Sequence, residues 1–215
     1  MTVQMTTLSN GLRVSSEGRE GLQTTAVGVW VDAGARYETT ANNGVAHMLE
    51  HMAFKGTKSR SAQDIAVEIE SVGGHLNAYT SREHTAYFVR VLKEDLALSV
   101  DILADILQRS TFAEDELERE RAVVIQEIGQ SEDTPDDIIF DRLQEVSFPN
   151  QALGRSILGP VEGVANMGRE VLFDFMGQHY TASRLLLCAA GAVDHDVLVA
   201  LAEQHFGDLR PGVPN

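Results

Sequence analysis

The sequence predicts an α+β fold, an antiparallel or mixed β-sheet with helices packed on one face. Three observations carry that prediction. Short runs rich in β-branched and aromatic residues sit beside turn signals, longer runs repeat apolar residues at i, i+3, i+4 and i+7, and the two kinds of run do not alternate as regular βαβ units. With 215 residues, 43% of them apolar, the chain is large enough to bury a core.

The opening reads as a hairpin, residues 3–8 and 12–15 about a Ser9-Asn10-Gly11 turn, because Asn-Gly supplies the positive φ that tight turns require. A third strand over 25–32, with Trp30 as a core residue, ends at Gly34. A first helix over 45–54 follows from Val45, Met48, Leu49 and Met52, with Asn42 or Asn43 as its cap. Ser61-x-x-Asp64 has the pattern of a capping box, and the second helix that it starts is stopped by Gly73-Gly74. Strands at 75–80 and 85–92, joined by a longer turn, are expected to extend the first sheet. Helical periodicity then covers 94–109 and 113–130, and after the break at 131–135 a further helix runs through Val146. A looser segment, 149–163, precedes a helix near 169–179, a buried strand over 185–193 and a last helix over 196–205. No internal repeat is evident.

Composition excludes several functions. Seventeen Lys and Arg against 32 Asp and Glu give a net charge of −15, the wrong sign for a surface that tracks phosphates, so nucleic-acid binding is not expected. An acidic field attracts basic ligands, although its commoner meaning is a solvated surface. The single Cys188 excludes an internal disulfide and reads as a small buried thiol. No apolar stretch approaches the roughly 18 residues that span a bilayer. The first ten residues carry no targeting signal, so the expected location is cytoplasmic.

Chemistry concentrates in the first helix, at His47-Met-Leu-Glu50-His51. Positions i, i+3 and i+4 share a face about 100° wide, so both imidazoles can grip one ion and Glu50 stands beside them. Composition alone would produce this pattern about 0.02 times in such a chain, too rarely for chance to be the simpler account. Two His suit zinc, which needs a further protein ligand and an open position for water, and a neighbouring carboxylate can act as general base. The third ligand is sought in the segment 116–127, where Glu120 and Glu127 lie two turns apart on one face. Glu127 occupies the most apolar stretch, where an unpaired carboxylate would be costly to bury and a metal would remove that cost. Glu120 suits a hydrogen bond to a ligand imidazole, or else is a solvated charge among Glu118, Arg119 and Arg121.

These residues, with Glu127 falling 76 positions after His51, resemble the inverted-zincin metallopeptidases of the pitrilysin and mitochondrial processing peptidase family. The likeness extends through Asn10-Gly-Leu-Arg-Val14, the block 31–38, the block 44–57, Asn77-Ala-Tyr-Thr-Ser81 and the block 120–127, and is nearest to the processing-peptidase-like branch. It implies a zinc endopeptidase in which His47, His51 and Glu127 bind the metal, Glu50 activates the attacking water and Glu120 supports the site. It further implies that Asn77, Ala78, Tyr79 and Thr80 belong to an edge strand on which peptides lie extended. Substrates would be peptides, basic ones preferred on the charge argument. Members of this family resemble clamshells of two related halves. Residues 1–209 match the metal-bearing half and 210–215 the start of a linker, so a missing C-terminal half or a partner subunit is expected, with homodimerisation as another outcome. The alternative function is a non-catalytic peptide-binding or assembly subunit.

His75, His84, His179, His195 and His205 lack partners at helical spacing and are assigned no metal role. Met48 and Met52 read as core, and Lys55 with Lys58 is too sparse for a phosphate site.

Overall fold

Asn10 and Gly11 do turn the chain: Gly11 adopts φ 95°, and β1 (Gln4–Thr7) pairs antiparallel with β2 (Arg13–Gly18). The structure, a computed structural model, describes residues 2–213; Met1, Pro214 and Asn215, and with the latter two the end of the expected linker, lie outside the described residues. The remaining strands are β3 (Thr24–Val31), β4 (His75–Thr80), β5 (Thr85–Leu92) and β6 (Leu185–Gly191). They form one sheet in the order β1-β2-β6-β3-β5-β4.

The sheet is mixed because β6 returns from far along the chain and inserts between β2 and β3, parallel to the first and antiparallel to the second. A strand flanked on both sides needs apolar residues along most of its length, and Leu-Leu-Leu-Cys-Ala-Ala supplies them. The hairpin β4-β5 extends the sheet beyond β3 as expected, which leaves β4 on the edge.

Alternation along the strands separates two faces. Val27, Val29 and Val31 of β3, Tyr87, Val89 and Val91 of β5, and Leu185 and Leu187 of β6 point into the core. There they meet α1 (Val45–Met52), α2 (Ala62–Ser71), α3 (Leu96–Gln108), α4 (Glu114–Asp133), α7 (Arg169–His179) and α8 (His195–Phe206). The most apolar helix is α3, which packs against β3, β5 and α8. Two further helices, α5 (Pro135–Ser147) and α6 (Val161–Ala165), pack against α4.

Three expectations need correction. Trp30 and Cys188 are half-buried, since both fall on the sheet face turned away from the helices, with Phe88, Ala190 and the exposed Tyr79. A β-branched run cannot by itself say which of its two faces is covered. Nor does an Asn side chain cap α1. Its N-cap is Gly44 at φ 97°, and the acceptor is the buried carboxylate of Glu38, from a short 3-10 turn before the helix. The capping box of α2 forms as expected, with Ser61 and Asp64 exchanging hydrogen bonds.

The segment after α1 is fastened to α3. Asp105, fully buried, accepts from Thr57 Oγ1 at 2.7 Å, Ser59 Oγ at 2.8 Å, Arg60 Nη1 at 3.1 Å and Arg109 Nε at 2.6 Å. Burial works against the charge of Asp105, but these donors outweigh it and hold the carboxyl below its ordinary value.

Candidate metal centre

Only eight residues long, α1 is below the length at which a helix is stable alone, so packing must fix it. Val45, Met48, Leu49 and Met52 are buried against the core, which turns His47 and His51 toward α4. On α4, Leu117, Glu120, Val124 and Ile128 form the inward stripe, and Glu127 stands at its border. Near the end of β4, Thr80 Oγ1 donates to the Ala46 carbonyl at 3.3 Å, tying the edge strand to the same helix.

The two imidazoles meet edge to face, ring centroids 4.7 Å apart. Glu127 Oε2 lies 3.7 Å from His47 Nε2 and 3.4 Å from His51 Nε2, and one donor atom from each of the three residues falls within 4.8 Å of the others. A tetrahedral ion with bonds of roughly 2.0–2.1 Å holds neighbouring donor atoms roughly 3.3 Å apart, so this donor set has the right chemistry and spacing for zinc. His51 Nδ1 faces Glu120 Oε2 at 2.8 Å, the arrangement in which Nδ1–H donates and the Nε2 lone pair is left for a metal. The other oxygen of Glu120 lies 2.7 Å from Lys55 Nζ.

Burial, reinforced by His51, lowers the pKa of His47 to about 4, so this imidazole is neutral at physiological pH. Burial also opposes ionisation of Glu120, but hydrogen bonds from Lys55 and His51 prevail and keep its carboxyl below the ordinary range. Behind Glu50 lie the buried hydroxyls of Tyr87 and Tyr180, 3.0 Å apart. Burial raises the pKa of both, Tyr180 to about 12, and the charge of Glu50 adds to the effect.

The carboxylates of α4 reverse the burial that their sequence neighbours suggest. The Glu127 side chain is 40% exposed and Glu120 only 8%, so the costly buried carboxylate is Glu120 and its reading as a solvated charge fails. The edge-strand residues are only partly brought together. Thr80 reaches α1, and Asn77 Oδ1 accepts the N–H of Ala78 at 2.8 Å. Tyr79 instead pairs with His84 Nε2 at 3.1 Å. Sequence reasoning missed Glu38, Lys55, Tyr87 and Tyr180. Of these only Lys55 left a signal, four residues after His51 as His51 is four after His47.

Fold and site together define a domain that presents two imidazoles and two carboxylates from two packed helices beside a sheet edge. Residues 13–161 match the family model for insulinase, peptidase family M16, and residues 166–215 match that for the peptidase M16 inactive domain. The chain therefore belongs to peptidase family M16. It is 52% identical over 205 residues to the mitochondrial-processing peptidase subunit beta of Mus musculus, covering 95% of this chain and 42% of the relative. With the subunit beta of Blastocladiella emersonii it shares 47% over 209 residues, covering 97% and 45%. Among solved structures, a protease from Helicobacter pylori superposes with a TM-score of 0.93 at 26% identity, over all of this chain and 52% of that one. A peptidase M16 inactive domain from Pseudomonas fluorescens, at 18% identity and TM-score 0.92, shows the same fold, again over all of this chain and 52% of that one. The chain thus spans less than half the length of these curated relatives. Their mitochondrial designation overturns the cytoplasmic expectation. Among the described residues, no helix is long and apolar enough to cross a membrane.

Proposed function

We propose that the chain is the metal-bearing domain of a zinc-dependent endopeptidase, with His47, His51 and Glu127 as metal ligands and Glu50 as general base. The observation that carries this reading is the convergence of the two Nε2 atoms and a Glu127 oxygen. Bound there, zinc would supply a Lewis acid that polarises the scissile carbonyl and makes water nucleophilic near neutral pH. Glu50, on the same helix face as the imidazoles, takes a proton from the attacking water and returns it to the leaving amine. Neutral His47 offers its lone pair without first losing a proton. Glu120 fixes the ring of His51 through Nδ1.

The peptide lies extended along β4, adding a strand to the sheet at its free edge. The main chain at Asn77 and Ala78 supplies the bonds, and the side chain of Asn77 must release the Ala78 N–H that it holds. Tyr79 and Thr80 complete the strand. The net charge of −15 favours basic peptides. Residues 1–209 form the domain and 210–215 begin the connection to a second half, or a partner subunit closes the site, since the relatives are more than twice as long.

The test is Glu50→Gln in the full-length protein. Zinc stoichiometry is expected to remain that of the parent while peptide cleavage falls by a factor of about 10³ or more, within what loss of an acid-base group and its charge can produce. Cleavage at the parental rate would refute the assignment of Glu50. A parent that binds zinc and peptide without turnover would favour a non-catalytic peptide-binding subunit.

A further inference from the structure

We infer that Lys55 is a positioning residue of the metal centre, acting through Glu120 on His51. The inference rests on the reading of His47, His51 and Glu127 as ligands and adds a residue to it. Two contacts define the chain of influence: Lys55 Nζ to Glu120 Oε1 at 2.7 Å, and Glu120 Oε2 to His51 Nδ1 at 2.8 Å. Lys55 lies just beyond the end of α1, where its N–H bonds the Met52 carbonyl at 3.2 Å, and so continues the direction that His47 and His51 set.

Among the described residues, no other Lys or Arg pairs with Glu120 to take the place of Lys55. The arginines on either side of it in sequence are turned elsewhere, Arg119 to Asp115 and Glu116, Arg121 to Glu114 and the Met167 carbonyl. A carboxylate this buried, held by one imidazole alone, could rotate about its last bond or face away from the ring. With Lys55 on one oxygen, the second is held against His51 Nδ1 and stays a pure acceptor. That pinning fixes the ring and its tautomer, and with them the direction of the Nε2 lone pair. His47 has no equivalent support, for its buried Nδ1 meets no hydrogen-bond partner among the described residues. The ordering of the imidazole pair therefore depends on the Lys55–Glu120 contact.

The test measures zinc affinity of the purified full-length protein by competition with a chromophoric chelator, and the visible absorption of the cobalt-substituted form. Lys55→Met is expected to weaken zinc binding about tenfold, the low end of the ~10–100-fold that partners of metal ligands contribute, and to change the cobalt spectrum. Lys55→Arg, which keeps a cation on Glu120, is expected to recover most of that loss. In a Glu120→Gln background, Lys55→Met is expected to change affinity less than twofold, because the intermediary is gone. Thermal unfolding of each metal-free variant shows whether it is folded, and Lys55→Gln replaces Lys55→Met if the latter is not. Parental zinc affinity in the folded neutral variant would overturn the inference and leave the ligand assignment standing. An undiminished effect of Lys55→Met in the Glu120→Gln background would also overturn it. A parent that takes up no zinc would overturn the ligand assignment itself, and this inference with it.

Discussion

Glu38→Ala should be among the most damaging single substitutions outside the metal ligands. The Glu38 carboxylate, 4% exposed, accepts from Asn43 Nδ2 at 2.7 Å, Gly44 N at 2.8 Å and Ala46 N at 2.9 Å. Two of these donors are among the first N–H groups of α1, which have no partner within the helix, and the negative charge also faces the positive end of the helix dipole. Truncation would leave the N–H groups of Gly44 and Ala46 without an acceptor at about 1–3 kcal/mol each, and would take one bond from Asn43 Nδ2, which keeps the Ser156 carbonyl at 3.0 Å. Against this stands the cost of burying the charge, the main reason the Glu38 pKa is raised despite its hydrogen bonds. Removing that cost returns part of the loss, so the net expectation is about 4 kcal/mol. Glu38→Gln keeps one acceptor oxygen but sets an amide N–H₂ against one of the donors, for a loss of about 2 kcal/mol. Urea unfolding of the metal-free protein measures both. Because His47 is the third residue of α1, Glu38→Ala should also lower zinc affinity. A stability within 1 kcal/mol of the parent would refute the argument, as would equal losses for the Ala and Gln variants.

Two further predictions concern the supports of the site. Asp105→Ala leaves Arg60 to Asp101 and Glu68 and takes the acceptor from Thr57, Ser59 and Arg109 Nε, and is expected to lose about 2–3 kcal/mol in the same assay; a loss under 1 kcal/mol would show that the network is redundant. His179, whose pKa burial and then Arg184 lower to about 4, gives stability a pH dependence. The unfolded chain binds a proton there near pH 6.5, the native one only near 4, so unfolding takes up a proton between these values and stability falls as pH drops through that window. His179→Gln should flatten the fall in denaturant midpoint from pH 6.5 to 4, and an unchanged pH profile would refute the assignment.

What could be read from the sequence follows from where the information lies. His47, Glu50 and His51 are one helical turn apart, so periodicity alone placed them on a common face, and the same holds for Glu120 and Glu127 on α4. The strands β4 and β5 and the box that starts α2 are equally local, and all three formed where the sequence set them. The position of β6 is not local. It pairs with β2 and β3 across more than 150 residues, and no periodicity within 185–191 can name those neighbours. Glu38 is missed for a related reason. An Asn next to a helix start is the commoner cap, and only the tertiary path of the chain shows that a carboxylate six residues upstream fills the place.

The relative burial of Glu120 and Glu127 exposes the limit most directly. Both lie on one face of α4, and hydropathy of the neighbours assigned the buried position to Glu127. The helix packs instead through Leu117, Glu120, Val124 and Ile128, a stripe of steps three, four and four that admits Glu120 because Lys55 neutralises it and His51 bonds it. Glu127, one residue short of that stripe, is left at the surface with an oxygen toward the imidazoles. On the proposed reading, a carboxylate that binds a metal and leaves room for a peptide belongs at such a border, whereas one that orients a ring belongs inside. The arrangement therefore follows from the packing of α1 on α4, a relation between two segments that neither encodes alone.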